Sequence, residues 1–235
     1  MFNPSATITL TRFDERHSCF VIDDALTDPE SLVEYAASNR DAFRAIDFNA
    51  YPGIALAPPP AVSEALATLF NLRMRRHFDV RRVLKMHCRL SMVTLAPADL
   101  RPFQWFCHSD GVFTDRTQSL QASMLYLFQD EGLGGTSFYE PARPAHEIAA
   151  LFDDAMRMDA ASFARKHAIA PGYMAGSNSY FRCVGSVPAR WNRLIFYDGS
   201  VLHSGDIVAP DRLSGNPRTG RLTLNGFFTS RPSVG

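Results

Sequence analysis

The chain has 235 residues, 46% of them hydrophobic, with 24 Lys+Arg balancing 24 Asp+Glu. That length suits a single domain, residues 1–235, with its own core, and that hydrophobic fraction excludes general disorder. A neutral chain has no global electrostatic footprint for nucleic acid or an anionic membrane, so neither is expected as a partner.

Residues 1–13 lack a basic segment followed by a long apolar run, so no secretory signal is expected. No stretch approaches the roughly 18 apolar residues of a membrane span. The four cysteines, Cys19, Cys88, Cys107 and Cys183, are scattered without a C-x-x-C pair. They indicate neither a zinc knuckle nor a disulfide framework, and read as reduced thiols of a cytoplasmic protein.

Alternation predicts short strands at 6–13 and 18–23. Thr27 or Asp28 then caps a helix with Pro29 in its first turn, burying Leu32, Val33, Tyr35 and Ala36. After three prolines, a second helix over 61–77 buries Val62, Leu66, Leu69, Phe70 and Met74. In 85–95, Met86, Cys88, Leu90 and Met92 point one way and His87, Arg89, Ser91 and Val93 the other, as in a strand with one face in the core. Further strands are predicted near 103–108, 120–128, 136–140, 179–183, 193–198, 202–208 and 220–229. Residues 144–166 carry Ile148, Leu151, Phe152, Ala155, Met158 and Phe163 at helical spacing. Many short strands separated by Gly and Pro suggest a mainly β (α+β) sandwich or barrel. Residues 1–85 would supply strand and helix support and 86–230 the β core, with a helical and loop insertion at 141–192.

The chemistry-bearing stretch is His108-Ser109-Asp110. Side chains two apart on an extended segment share a side, so an imidazole and a carboxylate would point together. One more imidazole completes the 2-His-1-carboxylate triad that holds iron(II) and leaves coordination positions open. His203 is the candidate. Alternatives stay open: a capped turn for His108 and Asp110, and a satisfied structural histidine for His203. A second copy, His77-Phe78-Asp79, ends a predicted helix among Arg75, Arg76, Arg81 and Arg82, and reads as a solvated helix end. Gly134-Gly135 is consistent with a hairpin turn. Cys107 should point away from the metal side, into packing.

In order along the chain stand His108-Ser109-Asp110, Tyr126-Leu127 with Gly134-Gly135-Thr136, the apolar strand Leu194-Ile195-Phe196-Tyr197 before His203, and Arg221-Leu222-Thr223 opening a last strand. This pattern resembles the iron(II)/2-oxoglutarate-dependent dioxygenases, especially the prolyl-4-hydroxylase-like branch. The resemblance implies a double-stranded β-helix (jelly-roll, cupin-like) core with N-terminal supporting helices. It implies His108, Asp110 and His203 as iron ligands and Arg221 as the residue binding the far carboxylate of 2-oxoglutarate, for which a guanidinium fork is suited. Thr223 would add a hydroxyl contact, and Tyr126 stands where this branch often places a tyrosine reaching 2-oxoglutarate. The gap from His203 to Arg221 exceeds the family's usual one, which leaves Arg212 and Arg218 as rival carboxylate binders.

The implied activity is an oxygenase that uses Fe(II), 2-oxoglutarate and O2 to hydroxylate an unactivated C–H bond of a small-molecule or amino-acid-derived substrate, releasing succinate and CO2. The presence of Asp110 favours hydroxylation over halogenation. A cupin-like metal or metabolite-binding protein without turnover, and a zinc or manganese hydrolase or isomerase, are the alternatives. Tyr173, Tyr180, Phe181 and Trp191 are expected to lid the mouth of the barrel from the insertion.

Overall fold

The computed structural model describes residues 1–46, 51–111, 115 and 117–233. The chain opens with a hairpin of β1 (Ile8–Arg12) and β2 (Ser18–Ile22). Helix α1 (Glu30–Ser38) follows, with the Asp28 carboxylate accepting from the Ser31 backbone N–H. Two short strands, β3 (Arg44–Ala45) and β4 (Gly53–Leu56), precede α2 (Pro60–Leu69). The expected second helix is present, but past Leu69 it continues as a π-helical turn over Phe70–Met74 and a 3-10 turn over Arg75–Phe78. Asp79, in the left-handed region at φ 51°, ends it, so His77-Phe78-Asp79 is a helix terminus.

Next come β5 (Val80–Val93), β6 (Ser119–Tyr126), β7 (Thr136–Pro141), α3 (Ala145–Arg157), α4 (Ala160–His167), β8 (Phe181–Val187), β9 (Leu194–Asp198), β10 (Leu202–Gly205) and β11 (Leu222–Pro232). Among the described residues these strands form two sheets, one of eight strands in the order β1-β2-β9-β6-β11-β5-β4-β3, the other β10-β7-β8. All pairings between strands of these sheets are antiparallel.

The large sheet is covered on both faces. Cys88, Leu90, Met92, Leu125, Leu194, Leu222, Leu224 and Phe228 meet α1 and α2 through Leu32, Val33, Ala36, Leu66, Leu69 and Phe70. On the other face Val21, Ala122, Tyr126 and Ile195 pack against Phe138 and Val187 of the small sheet. This explains the alternation in β5. Its even-numbered side chains face the helices, while Arg89 and Ser91, also buried, face inward between the sheets.

Three expectations need correction. The stretch at 103–108 is not a strand: Pro102 starts a 3-10 turn through Gln104, closed by the Gln104 side chain accepting from Arg101 N–H, and an isolated bridge at His108 follows. Residues 1–85 do more than support the core, since β1 to β4 extend both edges of the large sheet. Strand β4 escaped prediction because it is short and follows Pro52 directly; its Gly53 packs so closely that a Cβ would lie 1.9 Å from the Met92 carbonyl oxygen. The 141–192 segment includes β8, the third strand of the small sheet. Its helices α3 and α4 cover that sheet's outer side through Leu151, Ala155 and Phe163, against Trp105, Phe106 and Tyr139. Cys107 is fully buried in the same cluster, and the four cysteines are free thiols. No helix among the described residues is long and apolar enough to cross a membrane.

Candidate metal centre

Backbone pairing places the three candidate ligands. His108 N–H donates to the His203 carbonyl at 3.0 Å and His203 N–H returns the bond at 2.8 Å. Asp110 N–H donates to the Gly199 carbonyl at 2.9 Å, which ties it to the turn between β9 and β10. That turn is closed by the Asp198 carboxylate, which accepts from Ser200 N–H at 2.9 Å and from its hydroxyl at 2.7 Å. The result is one potential ligand atom from each of His108, Asp110 and His203, all within 4.8 Å of one another.

His203 Nδ1 lies 2.9 Å from the Val201 carbonyl, so Nδ1 carries the hydrogen and Nε2 is left to face Asp110 Oδ2, 3.4 Å away. His108 Nε2 stands 3.9 Å from Asp110 Oδ1. Asp110 Oδ2 is buried and finds no hydrogen-bond partner of adequate geometry among the described residues. A buried carboxylate oxygen without a donor is costly, and a metal ion satisfies it. Two imidazole nitrogens and one carboxylate suit a divalent first-row transition ion, so these residues fit such a group.

The electrostatics agree. Burial lowers the His108 pKa to about 4, assisted by the neighbouring His203 and Arg89 charges. Burial works against ionisation of Asp110, but His203, His108 and Arg89 outweigh it and hold the carboxyl below its usual range. For His203, burial again opposes the charge, while the Asp110 carboxylate reverses the balance and raises the pKa. The Asp110 carboxylate thus favours the protonated form of His203, and His203 favours the ionised form of Asp110.

The triad lies in a cavity of about 360 Å³ whose wall includes Arg221, Thr136, Asn225 and Phe227. Arg221 is 2% exposed, immediately before β11. Its Nε donates to the Leu133 carbonyl at 3.0 Å and its Nη2 to that of Gly135 at 3.0 Å. It has no acidic partner within ion-pair distance among the described residues. The double glycine is what permits this cradle. A Cβ on Gly134, at φ +86°, would lie 1.8 Å from the Asp206 carbonyl oxygen, and one on Gly135 2.1 Å from that of Val187.

The rival arginines are elsewhere. Arg212 pairs with Asp130, and Arg218 makes a two-pronged pair with Glu34 at 2.9 and 2.6 Å; neither lines the cavity. Thr223 shares the inward face with Arg221 and Asn225, fully buried, its hydroxyl 3.4 Å from the Ser91 carbonyl. Tyr126 stands behind the wall, its hydroxyl 2.8 Å from that of Thr136, which does line the cavity.

Residues 4–228 match the model of a family described as a family of unknown function, DUF6445. The chain belongs to that family. No curated protein matches it. Among solved structures, this DUF6445 chain is similar to a prolyl-4-hydroxylase from Pseudomonas putida, at 14% identity and a TM-score of 0.47 over 92% of this chain and 94% of that one. It is similar to HygX from Streptomyces hygroscopicus, solved with nickel and 2-oxoglutarate bound, at 13% identity and a TM-score of 0.47 over 92% and 83%. A third is SnoN, a non-heme alpha ketoglutarate dependent epimerase from nogalamycin biosynthesis, at 12% identity and a TM-score of 0.41 over 92% and 81%.

Sequence reasoning missed two residues of the candidate site in this DUF6445 chain. Tyr197, read as part of an apolar strand, packs its ring edgewise on His203 with centroids 4.8 Å apart. Burial and the nearby Asp110 carboxylate push its hydroxyl well above the usual tyrosine pKa, so it stays neutral. Arg89, read as one alternating residue of a strand, lines the cavity beside the triad. The available signal was an arginine in the odd-numbered series of a strand whose other series is apolar. Of the four aromatics expected over the mouth, Tyr173 lines the cavity. Tyr180 instead bonds His167 at 2.7 Å, Phe181 is fully buried behind the small sheet, and Trp191 packs against the core beneath the large one.

Proposed function

We propose that this protein is a non-haem iron(II)- and 2-oxoglutarate-dependent oxygenase that hydroxylates a C–H bond of a small molecule, releasing succinate and CO2. The observation that carries this reading is one cavity holding both a partly buried His108/Asp110/His203 cluster and a buried Arg221 without an acidic partner among the described residues. In this reading the two facing sheets are the halves of a double-stranded β-helix.

His108, Asp110 and His203 would hold iron(II), which when bound supplies the means to couple dioxygen reduction to oxidation of 2-oxoglutarate and substrate. Arg221 would bind the far carboxylate of 2-oxoglutarate. Its position is set by the Leu133 and Gly135 carbonyls, so little side-chain freedom is lost on binding. Thr223 and Tyr126 act one layer back, Tyr126 by orienting the Thr136 hydroxyl. Val201 holds His203 in the tautomer that leaves Nε2 bare. A cavity of about 360 Å³ lies at the small end of the roughly 300–1,000 Å³ range of small-molecule sites, in keeping with a small substrate.

The test is anaerobic titration of the metal-free protein with iron(II) and then 2-oxoglutarate, following the visible charge-transfer band of the chelate. The expected result is a band that is lost in His108→Ala. Iron binding without a band would move the metal-binding or hydrolytic readings ahead, and absence of iron binding would reject the triad.

A further inference from the structure

The cavity carries more positive charge than the co-substrate accounts for. Arg89 lies on β5 directly across from Asn225 of β11 and is 9% exposed. Its Nε has no hydrogen-bond partner among the described residues, and it makes no ion pair there. Its guanidinium carbon sits 5.4 Å from the Tyr51 ring centroid and 5.3 Å from that of Phe227. Two aromatic faces hold the cation and fix its plane, but they leave its N–H donors unmatched. Asn225 Oδ1 beside it is also without a partner among the described residues. Buried charges are retained where something pairs with them, so an unpaired guanidinium facing a cavity points to an anionic ligand.

The charges decide what kind. Among the described residues lining the cavity, Arg89 and Arg221 are the strong cations and Asp110 the one acid, a sum of 2 − 1 = +1. A divalent metal brings this to +3, and the 2-oxoglutarate dianion returns it to +1. A monoanion closes the balance. Its carboxylate would match the planar fork of Arg89. Its body would be apolar, because Phe103, Phe106, Tyr173 and Phe227 line the same space. The two arginines reach different groups around the triad: the Arg89 charge is felt at His108 and Asp110, that of Arg221 at Tyr126 and Tyr173, and Tyr51 feels both.

We propose that Arg89 binds the carboxylate of a monoanionic substrate with an apolar body and so selects carboxylic acids for oxidation at the triad. This rests on the oxygenase reading of the same cavity.

The experiment is ligand-observed NMR on zinc(II)-loaded protein saturated with 2-oxoglutarate, where no turnover occurs. The probes are three acids and their amides: 3-phenylpropionate, hippurate and hexanoate against 3-phenylpropionamide, hippuramide and hexanamide. The expected result is binding of acids over amides, with acid affinity falling about tenfold or more in Arg89→Gln and less in Arg89→Lys. Binding of 2-oxoglutarate should stay within about twofold of wild type, since Arg221 holds it. Amides binding as well as acids, no acid binding at all, acid affinity unchanged in Arg89→Gln, or loss of 2-oxoglutarate in that variant would each overturn the assignment. Should Arg89→Gln fail to fold, the acid–amide contrast in wild type and the behaviour of Arg89→Lys still decide. Acid binding that depends on Arg89 without any 2-oxoglutarate binding keeps the carboxylate site and sinks the oxygenase reading. The reverse pattern does the opposite.

Discussion

His108 and His203 face each other as a hydrogen-bonded antiparallel pair, exchanging backbone bonds of 3.0 and 2.8 Å, with ring centroids 4.7 Å apart. The distance between the two imidazoles is thus set by peptide groups, and neither side chain holds the other in place. Removing one ring should leave the other where it is. In His108→Ala, iron(II) affinity is expected to fall by more than the roughly 10–100-fold typical of outer-shell losses. The melting temperature of the metal-free protein should barely move, because the bridge survives in the backbone. Titration and melting of the same preparation check both.

The Asp110 carboxylate beside His203 should make metal binding pH-dependent, because it favours the protonated imidazole. Metal needs a neutral imidazole, and the His203 pKa is raised by Asp110 while that of His108 is lowered to about 4. As pH falls through the raised His203 value, the proton wins and affinity should drop about tenfold per unit, with one proton released per metal bound. His108 contributes nothing to this slope until much more acidic pH. Calorimetry in buffers of different ionisation enthalpy counts the protons; a count that does not rise toward one as pH falls would contradict the assignment.

Arg221 and Arg218 distinguish the proposed carboxylate binder from its rival. Arg221→Gln should weaken 2-oxoglutarate binding by about 10–100-fold, the range of a charge-assisted bond of about 1.5–3 kcal/mol, with metal affinity nearly unchanged. Arg218→Gln removes an exposed pair with Glu34 and should leave both binding and stability essentially unchanged. Equal loss of metal and 2-oxoglutarate in Arg221→Gln would remove its proposed role.

Gly134→Ala puts a methyl where the Asp206 carbonyl already stands, in a left-handed conformation. Strain of this kind costs about 1–3 kcal/mol from the backbone alone. The Arg221 cradle should shift with it, so 2-oxoglutarate binding should weaken although the substituted residue never touches it. Chemical denaturation and co-substrate titration read the two effects separately.

Phe70 belongs to the scaffold. Its ring, at the start of the π-helical turn after α2, stacks on Phe228 at 4.0 Å, and both side chains are fully buried. Phe70→Ala should destabilise the protein by about 3–5 kcal/mol. In the fraction that remains folded, metal affinity should match wild type, because the cavity lies on the sheet's other face.

Much of this was legible in the chain itself. The alternation of Met86 to Met92 placed β5 and its core face, since side chains on a strand repeat every two residues whatever the rest of the chain does. His-x-Asp, the double glycine and an arginine opening the last strand were visible as residue types at short range. Other features depended on neighbours distant in sequence. The stretch before His108 looked like a strand, but Pro102 and the Gln104 side chain turned it into a 3-10 turn. Tyr180 and Phe181, assigned to a lid, went into packing because α3, α4 and β8 close against the small sheet, and Trp191 joined the core under the large one.

What the chain by itself determined is therefore local: strand period, helix starts, and the residue types able to hold a metal and a carboxylate. What the tertiary structure decided is which of those residues meet. It engaged Arg212 and Arg218 with surface acids and left Arg221 and Arg89 in the cavity, in line with an anion site. The reason is physical. A strand's period is encoded within a few residues, whereas a charge's partner, or its lack of one, depends on every segment folded around it.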